Sequence, residues 1–243
     1  MPGNKDELFC QERELVPDFD FSDKTAEVFD DMLDRSVPFY SEIQRMMGEI
    51  TADFVTPGSC VYDLGCSTCA SFIQLEHMVP EDVTFVGLDN SQAMLDKGQR
   101  KLQENDFSRK YELHFQDLNE PFLIQNASVV LMNLTLQFIR PLVRARTVRH
   151  IADGLNSGGV LLLVEKVTSS NSMINRLFIK YYYRFKMANG YSEMEIAQKR
   201  EALENILVPY RYMENRQLLL DNGFSEVESF FRWYNFCGII AIK

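Results

Sequence analysis

Val61-Tyr62-Asp63-Leu64-Gly65-Cys66-Ser67 is an apolar run that ends on an acid and then a single glycine. Such a run reads as the first strand of a βαβ unit. The glycine allows the sharp turn after it and lets the backbone approach a ligand that a Cβ would push away. Three further strand ends follow. Val83–Leu88 runs into Asp89-Asn90, Tyr111–Phe115 into Gln116-Asp117, and Ser128–Met132 into Asn133, at steps of 24, 28 and 16 residues from Gly65. The longer steps suit βαβ repeats of roughly 30 residues, and the short one suits a truncated crossover. Ligands of open α/β sheets bind outside the carboxyl ends of the strands, so Asp63, Asp89, Asp117 and Asn133 are expected around one site.

Composition bounds the class. A chain of 243 residues, 46% hydrophobic and without a Pro/Gly/Ser-rich linker, is expected to form one domain over residues 1–243 with a large core. The longest apolar runs, Val160–Val164 and Gly238–Ile242, fall far short of the roughly 20 residues of a membrane span. The N-terminus is polar and acidic. A cytoplasmic protein with no membrane partner is expected. Five cysteines, an odd number without a paired framework, suit reduced thiols. Cys66-x-x-Cys69 supplies only two ligands, so no metal is expected. A net charge of −10 disfavours direct contact with nucleic acid. Against that balance, Lys166–Arg200 holds seven basic residues (Lys166, Arg176, Lys180, Arg184, Lys186, Lys199, Arg200) and two acids. This run reads either as a solvated helix face or as a pocket wall for an anionic small molecule.

The chain divides into four stretches. Residues 1–56 carry amphipathic helical spacing and are expected to form a helical cap, interrupted at Pro38. Residues 57–165 alternate buried-type strands with helices, Gly158-Gly159 setting a turn into the fifth strand, Val160–Glu165. Residues 166–208 read as a helical insertion rich in aromatics. Residues 209–243 hold a helix near Glu214–Asp221 and two strands, Glu226–Trp233 and Phe236–Ile242, expected as an antiparallel edge hairpin. The fold class is therefore α/β with a mostly parallel sheet.

One glycine is too few for a dinucleotide loop of the G-x-G-x-x-G kind, and no Walker lysine follows. S-adenosyl-L-methionine, which has no phosphates, fits better. Asp89 can accept from both ribose hydroxyls, Asp117 from the adenine amine, and backbone groups with Ser67 can bind the amino-acid tail. Asp63 is expected to hold the loop through backbone N–H groups.

Over nearly its whole length the chain resembles the carboxy-S-adenosyl-L-methionine synthase family, which has the class I S-adenosylmethionine-dependent methyltransferase (Rossmann-like) fold. The matching segments are Val28–Tyr40, Val61–Ser67, Leu88–Met94, Asn126–Phe138 and Phe185–Asn205, with Ala188–Arg200 (ANGYSEMEIAQKR) the most specific. The resemblance implies a transferase that decarboxylates prephenate and places the carbon dioxide on the sulfonium methyl. Its products are carboxy-S-adenosyl-L-methionine and phenylpyruvate. Hydroxide expelled from prephenate acts as base, so no protein base is required. A sulfonium stabilises an adjacent carbanion, which makes the step reasonable where water is excluded. By the same matching Arg200 is the catalytic residue that holds the new carboxylate, a task suited to a bidentate guanidinium. Tyr40, Gly65, Cys66, Ser67, Asp89, Asn90, Asp117, Leu118, Asn133 and Arg200 line the cofactor site.

The resemblance further implies a homodimer, whose product serves formation of 5-oxyacetyluridine at the tRNA wobble position. The chain departs from the family at Cys69, where glycine is usual, and at Tyr182, Tyr183 and Met187, where the family commonly has two histidines and an arginine. A cysteine at 69 is expected to narrow the approach to the methionine tail. Two other functions are compatible with the fold. One is conventional methylation of a small acid, although Asn133-Leu134-Thr135-Leu136 lacks the N-P-P-Y pattern of amino-group methylation. The other is a non-catalytic S-adenosylmethionine-binding protein.

Overall fold

The computed structural model describes residues 4–243. An extended strap precedes the first helix, α1 (Asp23–Ser36), which is followed by α2 (Tyr40–Phe54). The βα alternation then runs β1 (Cys60–Leu64), α3 (Ala70–Leu75), β2 (Thr84–Asp89), α4 (Gln92–Glu104), β3 (Tyr111–Phe115), β4 (Ala127–Asn133), α5 (Pro141–Gly154) and β5 (Leu155–Lys166). Next come α6 (Ser172–Ala188), α7 (Glu193–Leu203), α8 (Tyr212–Asp221), β6 (Glu226–Trp233) and β7 (Phe236–Ile242). No helix among the described residues is long and apolar enough to cross a membrane.

The seven strands form one sheet in the order β3-β2-β1-β4-β5-β7-β6. β1 to β5 are parallel, whereas β7 runs antiparallel to both β5 and β6. The short step from Asp117 to Asn133 is explained: no helix lies between β3 and β4, which cross the sheet by loop alone.

Strand residues alternate between two buried faces, as expected when helices cover both sides of a sheet. In β4, Val130 and Met132 pack with α5 and α8 through Val148, Ile151 and Leu219. Val129 and Leu131 point the other way, to Ile43 and Met47 of α2, Phe72 of α3 and Leu95 of α4. The edge strand β3 is only partly buried. One local expectation fails. Gly158 (φ +74) and Gly159 lie inside β5. Ala127 pairs with Leu155 while Val129 pairs with Val160, so the glycines sit at a bulge that absorbs the extra residues.

Candidate active site

The strand order reverses between β1 and β4, and a cavity of about 210 Å³ opens at the carboxyl ends of these strands. The loop after β1 is pinned by backbone bonds from Gly65 and Cys66 to the Leu88 carbonyl, at 2.7 and 3.1 Å. Gly65 (φ +82), Ser67 (φ +47) and Cys69 (φ +57) alternate in the left-handed region, and Cys69 N closes the turn on the Cys66 carbonyl at 2.8 Å. Asp89 fixes the result. Its Oδ2 accepts from Ser67 N at 3.0 Å and its Oδ1 from Ser91 N at 2.9 Å.

Of the residues expected at the cofactor site, Tyr40, Gly65, Cys66, Ser67, Asp89, Asn90, Asp117, Leu118 and Asn133 all line this cavity. The Tyr40 hydroxyl accepts from Gln44 at 2.8 Å and keeps its own proton to donate, burial holding its pKa well above the ordinary value. Asp117 uses Oδ1 to cap the turn at Asn119. Arg200 does not join them. It is exposed, forms no ion pair among the described residues and lines a second, adjoining cavity of about 570 Å³. The Glu204 partner that a plain surface helix would give it is not engaged.

Two expectations about the loop need correction. Asp63 does not hold the backbone; Asp89 does. The Ser71 hydroxyl donates to Asp63, whose Oδ1 is buried without a partner, as is Asn133 Oδ1. Burial and the nearby Asp89 charge lift Asp63 to about 7. Two orphaned acceptors facing a cavity call for a donor, and the ammonium of an amino-acid tail supplies one. The second correction concerns Cys69. Its side chain is fully buried and points to α4, where a Cβ on Gly98 would meet its Sγ at 2.7 Å, and it does not line the cavity. Its left-handed backbone (φ +57) is a conformation that glycine adopts most readily.

Several lining residues escaped the sequence reading. Phe19 and Phe21 of the strap close one wall, Phe21 meeting Phe138 edge-on at 5.5 Å. The pattern Asp18-Phe19-Asp20-Phe21 was the available signal. Lys166 and Lys199 also line the cavity, two of the seven basic residues in the run.

Behind the loop that follows β4, Glu165 accepts from Leu136 N at 2.9 Å, and burial pushes its carboxyl up to about 8. A carboxyl raised on folding stabilises fully below its unfolded pKa near 4.5, and that contribution is lost as pH rises through about 8. E165Q carries no such titration. Urea denaturation from about pH 5 to about pH 8 should show the parent losing stability relative to E165Q by on the order of a few kcal/mol; parallel curves would refute this.

Comparison with known proteins agrees with this geometry. Residues 61–159 match the family model described as a methyltransferase domain. Solved structures with the same fold include an O-methyltransferase family protein from Burkholderia thailandensis (TM-score 0.68, 14% identity, covering 95% of this chain and 65% of that one). Another is magnesium protoporphyrin IX methyltransferase from Synechocystis (TM-score 0.55, 18% identity, covering 84% and 78%). Among curated sequences, the carboxy-S-adenosyl-L-methionine synthase of Methylococcus capsulatus is 53% identical over 99% of this chain and 100% of its own length. That of Desulfotalea psychrophila is 43% identical over 100% and 99%.

Proposed function

Because the chain belongs to the carboxy-S-adenosyl-L-methionine synthase family, we propose that it moves a carboxyl group from prephenate to the sulfonium methyl of S-adenosyl-L-methionine. The second product is phenylpyruvate. The carboxyl leaves prephenate as carbon dioxide together with hydroxide; hydroxide takes a methyl proton to give water, and the methyl carbon bonds to carbon dioxide. Atoms and charge balance without a protein base. In this reading the protein binds, orients and excludes water.

One observation carries it. The cavity that offers Asp63, Asp89 and Asn133 to an adenosyl amino acid is also walled by Lys166 and Lys199. Lys199 is paired with Asp6 at 3.5 Å, whereas Lys166 forms no ion pair among the described residues; an unpaired ammonium repels a sulfonium, so Lys166 suits this cavity only when an anion lies between it and the ligand. A carboxylate on the reacting carbon or on the donor is such an anion, and a methyl transfer to a neutral acceptor has no use for it.

Arg200, on the adjoining cavity, is placed in this reading as the residue that holds the new carboxylate. Met173, Ile174 and Leu177 form an exposed apolar stripe on α6, which supports a homodimer as the working form. The cytoplasmic product would then serve formation of 5-oxyacetyluridine at the tRNA wobble position. The test is incubation of the purified protein with both substrates and mass spectrometry of the adenosyl pool. A species heavier than S-adenosylmethionine by one carbon dioxide is expected, and R200A should lose it at least about tenfold while still binding S-adenosylmethionine. Absence of that species in the parent protein would overturn the reading; undiminished product in R200A would remove Arg200 from it.

A further inference from the structure

The strap that precedes α1 crosses the first cavity from α7 to the start of α4. On the α7 side it is held by Gln198, a residue 6% exposed that uses every polar atom of its side chain on the strap backbone. Nε2 donates to the Phe9 and Gln11 carbonyls, each at 2.9 Å, and Oε1 accepts from Arg13 N at 2.9 Å. One turn further along α7 the Ala202 carbonyl accepts from Phe19 N at 2.9 Å. On the other side the Ser91 hydroxyl, just before α4, donates to the Phe21 carbonyl. Between these ties Phe19 and Phe21 line the cavity, their rings edge-on to each other at 5.2 Å.

The crossing span itself is loosely built. The backbone of residues 14–18 has no hydrogen-bond partner among the described residues, and Leu15 is 83% exposed. A segment with few buried contacts and an exposed backbone opens at a free energy well below that of global unfolding. Both ends are better held. Asp6 is buried, accepts from the Tyr191 hydroxyl at 2.6 Å and pairs with Lys199 at 3.5 Å. At the other end Ser22 leads directly into α1, which buries Ala26, Phe29 and Met32.

We propose that residues 12–21 are a lid on the first cavity, latched by Gln198. The span lifts to let the adenosyl ligand enter and leave, and in the closed state Phe19 and Phe21 cover that ligand and keep water from it. Gln198 lines neither cavity, so its bonds stabilise the closed span equally whether or not a ligand lies beneath. Removing them lowers the cost of opening in both states. Entry and exit then accelerate together, and the equilibrium affinity is nearly unchanged. A rigid wall behaves otherwise: loss of its support loosens the bound state alone, dissociation accelerates and affinity falls with it. The proposal rests on the reading of the first cavity as the S-adenosylmethionine site, and it names the route by which that ligand exchanges.

The sequence of the span suits such a motion. Along Asp18-Phe19-Asp20-Phe21 the acids are exposed and the phenylalanines half-buried, in the alternation of an extended chain with one face on a cavity. Lifting the span uncovers two rings and no buried charge. The rings are also what closure recovers, since Phe21 packs edge-on against Phe138 at 5.5 Å and lies 6.2 Å from Phe29 of α1.

The experiment times the exchange of tritiated S-adenosylmethionine on the full chain, by rapid mixing for association and by a chase with unlabelled ligand for dissociation, with calorimetry for Kd. Q198A is expected to raise both rates about tenfold while Kd stays within about threefold of the parent. E14Q, at an exposed strap position, should match the parent. F19A/F21A keeps the latch and removes the cover. It should accelerate association as well as dissociation, dissociation the more, so that Kd rises about tenfold. Parental rates in Q198A, or faster dissociation without faster association in either variant, would overturn the lid and leave a fixed wall. The parent's own calorimetry separates the two claims. A parent that binds no S-adenosylmethionine removes the reading of the cavity, whereas a parent that binds it and a Q198A that exchanges no faster leave the cavity standing and remove the lid.

Discussion

D89A is expected to lower S-adenosyl-L-methionine affinity by about a hundredfold or more. Asp89 is 8% exposed, and its two oxygens hold Ser67 N and Ser91 N at 3.0 and 2.9 Å. The first bond fixes the loop that follows β1; the second fixes the start of α4, where the Ser91 hydroxyl caps Met94 N at 3.2 Å. Hydrogen bonds to a charged acceptor contribute about 1.5–3 kcal/mol each, and every ~1.4 kcal/mol is tenfold in affinity. The ribose contact proposed for Asp89 is lost in addition. D89N keeps one oxygen but turns an NH2 towards an N–H donor, and it should fall between alanine and the parent. Calorimetric titration with S-adenosylmethionine measures the series. D89A binding within about threefold of the parent would show that Asp89 neither shapes the loop nor meets the ligand.

G65A should cost still more in structure. Gly65 has φ +82, and a Cβ there would meet Thr135 Oγ1 at 2.4 Å and Cγ2 at 2.6 Å. The backbone strain alone is about 1–2 kcal/mol, and overpacking adds about 1–3 kcal/mol. Thr135 has little freedom to yield, because the preceding Leu134 is itself left-handed (φ +61) and is tied through its N–H to the Val164 carbonyl at 2.7 Å. The loops after β1 and β4 therefore touch at this point, and both line the first cavity. G65A is expected to lose measurable S-adenosylmethionine binding and to melt at lower temperature. T135A alone should be close to neutral. In the double variant part of the lost stability returns, since the contact is relieved while the φ strain stays. No recovery in thermal melts of G65A/T135A would refute the contact as the cause.

Much of this was legible in the sequence, for identifiable reasons. Buried parallel strands are nearly continuous apolar runs, so β2 and β4 lie within a residue of their expected limits, and β3, β6 and β7 match theirs. Acidic residues at strand ends announced the first cavity, because the topology of an open α/β sheet brings such ends together. What stayed hidden depends on contacts distant in sequence. Phe19 and Phe21 reach the cavity only because the strap folds back; Gln198 Nε2 holds it at the Phe9 and Gln11 carbonyls, each at 2.9 Å. Composition shows a basic run but not which lysines turn inward, a choice made by how α6 and α7 sit against β5. The loop-holding duty expected of Asp63 falls to Asp89 because the αL residues of the loop aim Ser67 N at the neighbouring strand end rather than at β1's own acid. At Cys69 the expectation of a narrowed tail site failed for a related reason, the side chain turning to Gly98.

The most direct test of two joined cavities exchanging one carbon is an isotope label. Prephenate labelled at its ring carboxylate, incubated with S-adenosyl-L-methionine and the protein, should deliver the label to the adenosyl product and leave phenylpyruvate unlabelled. Label found only in free bicarbonate, or a methyl group found on the acid, would contradict the account.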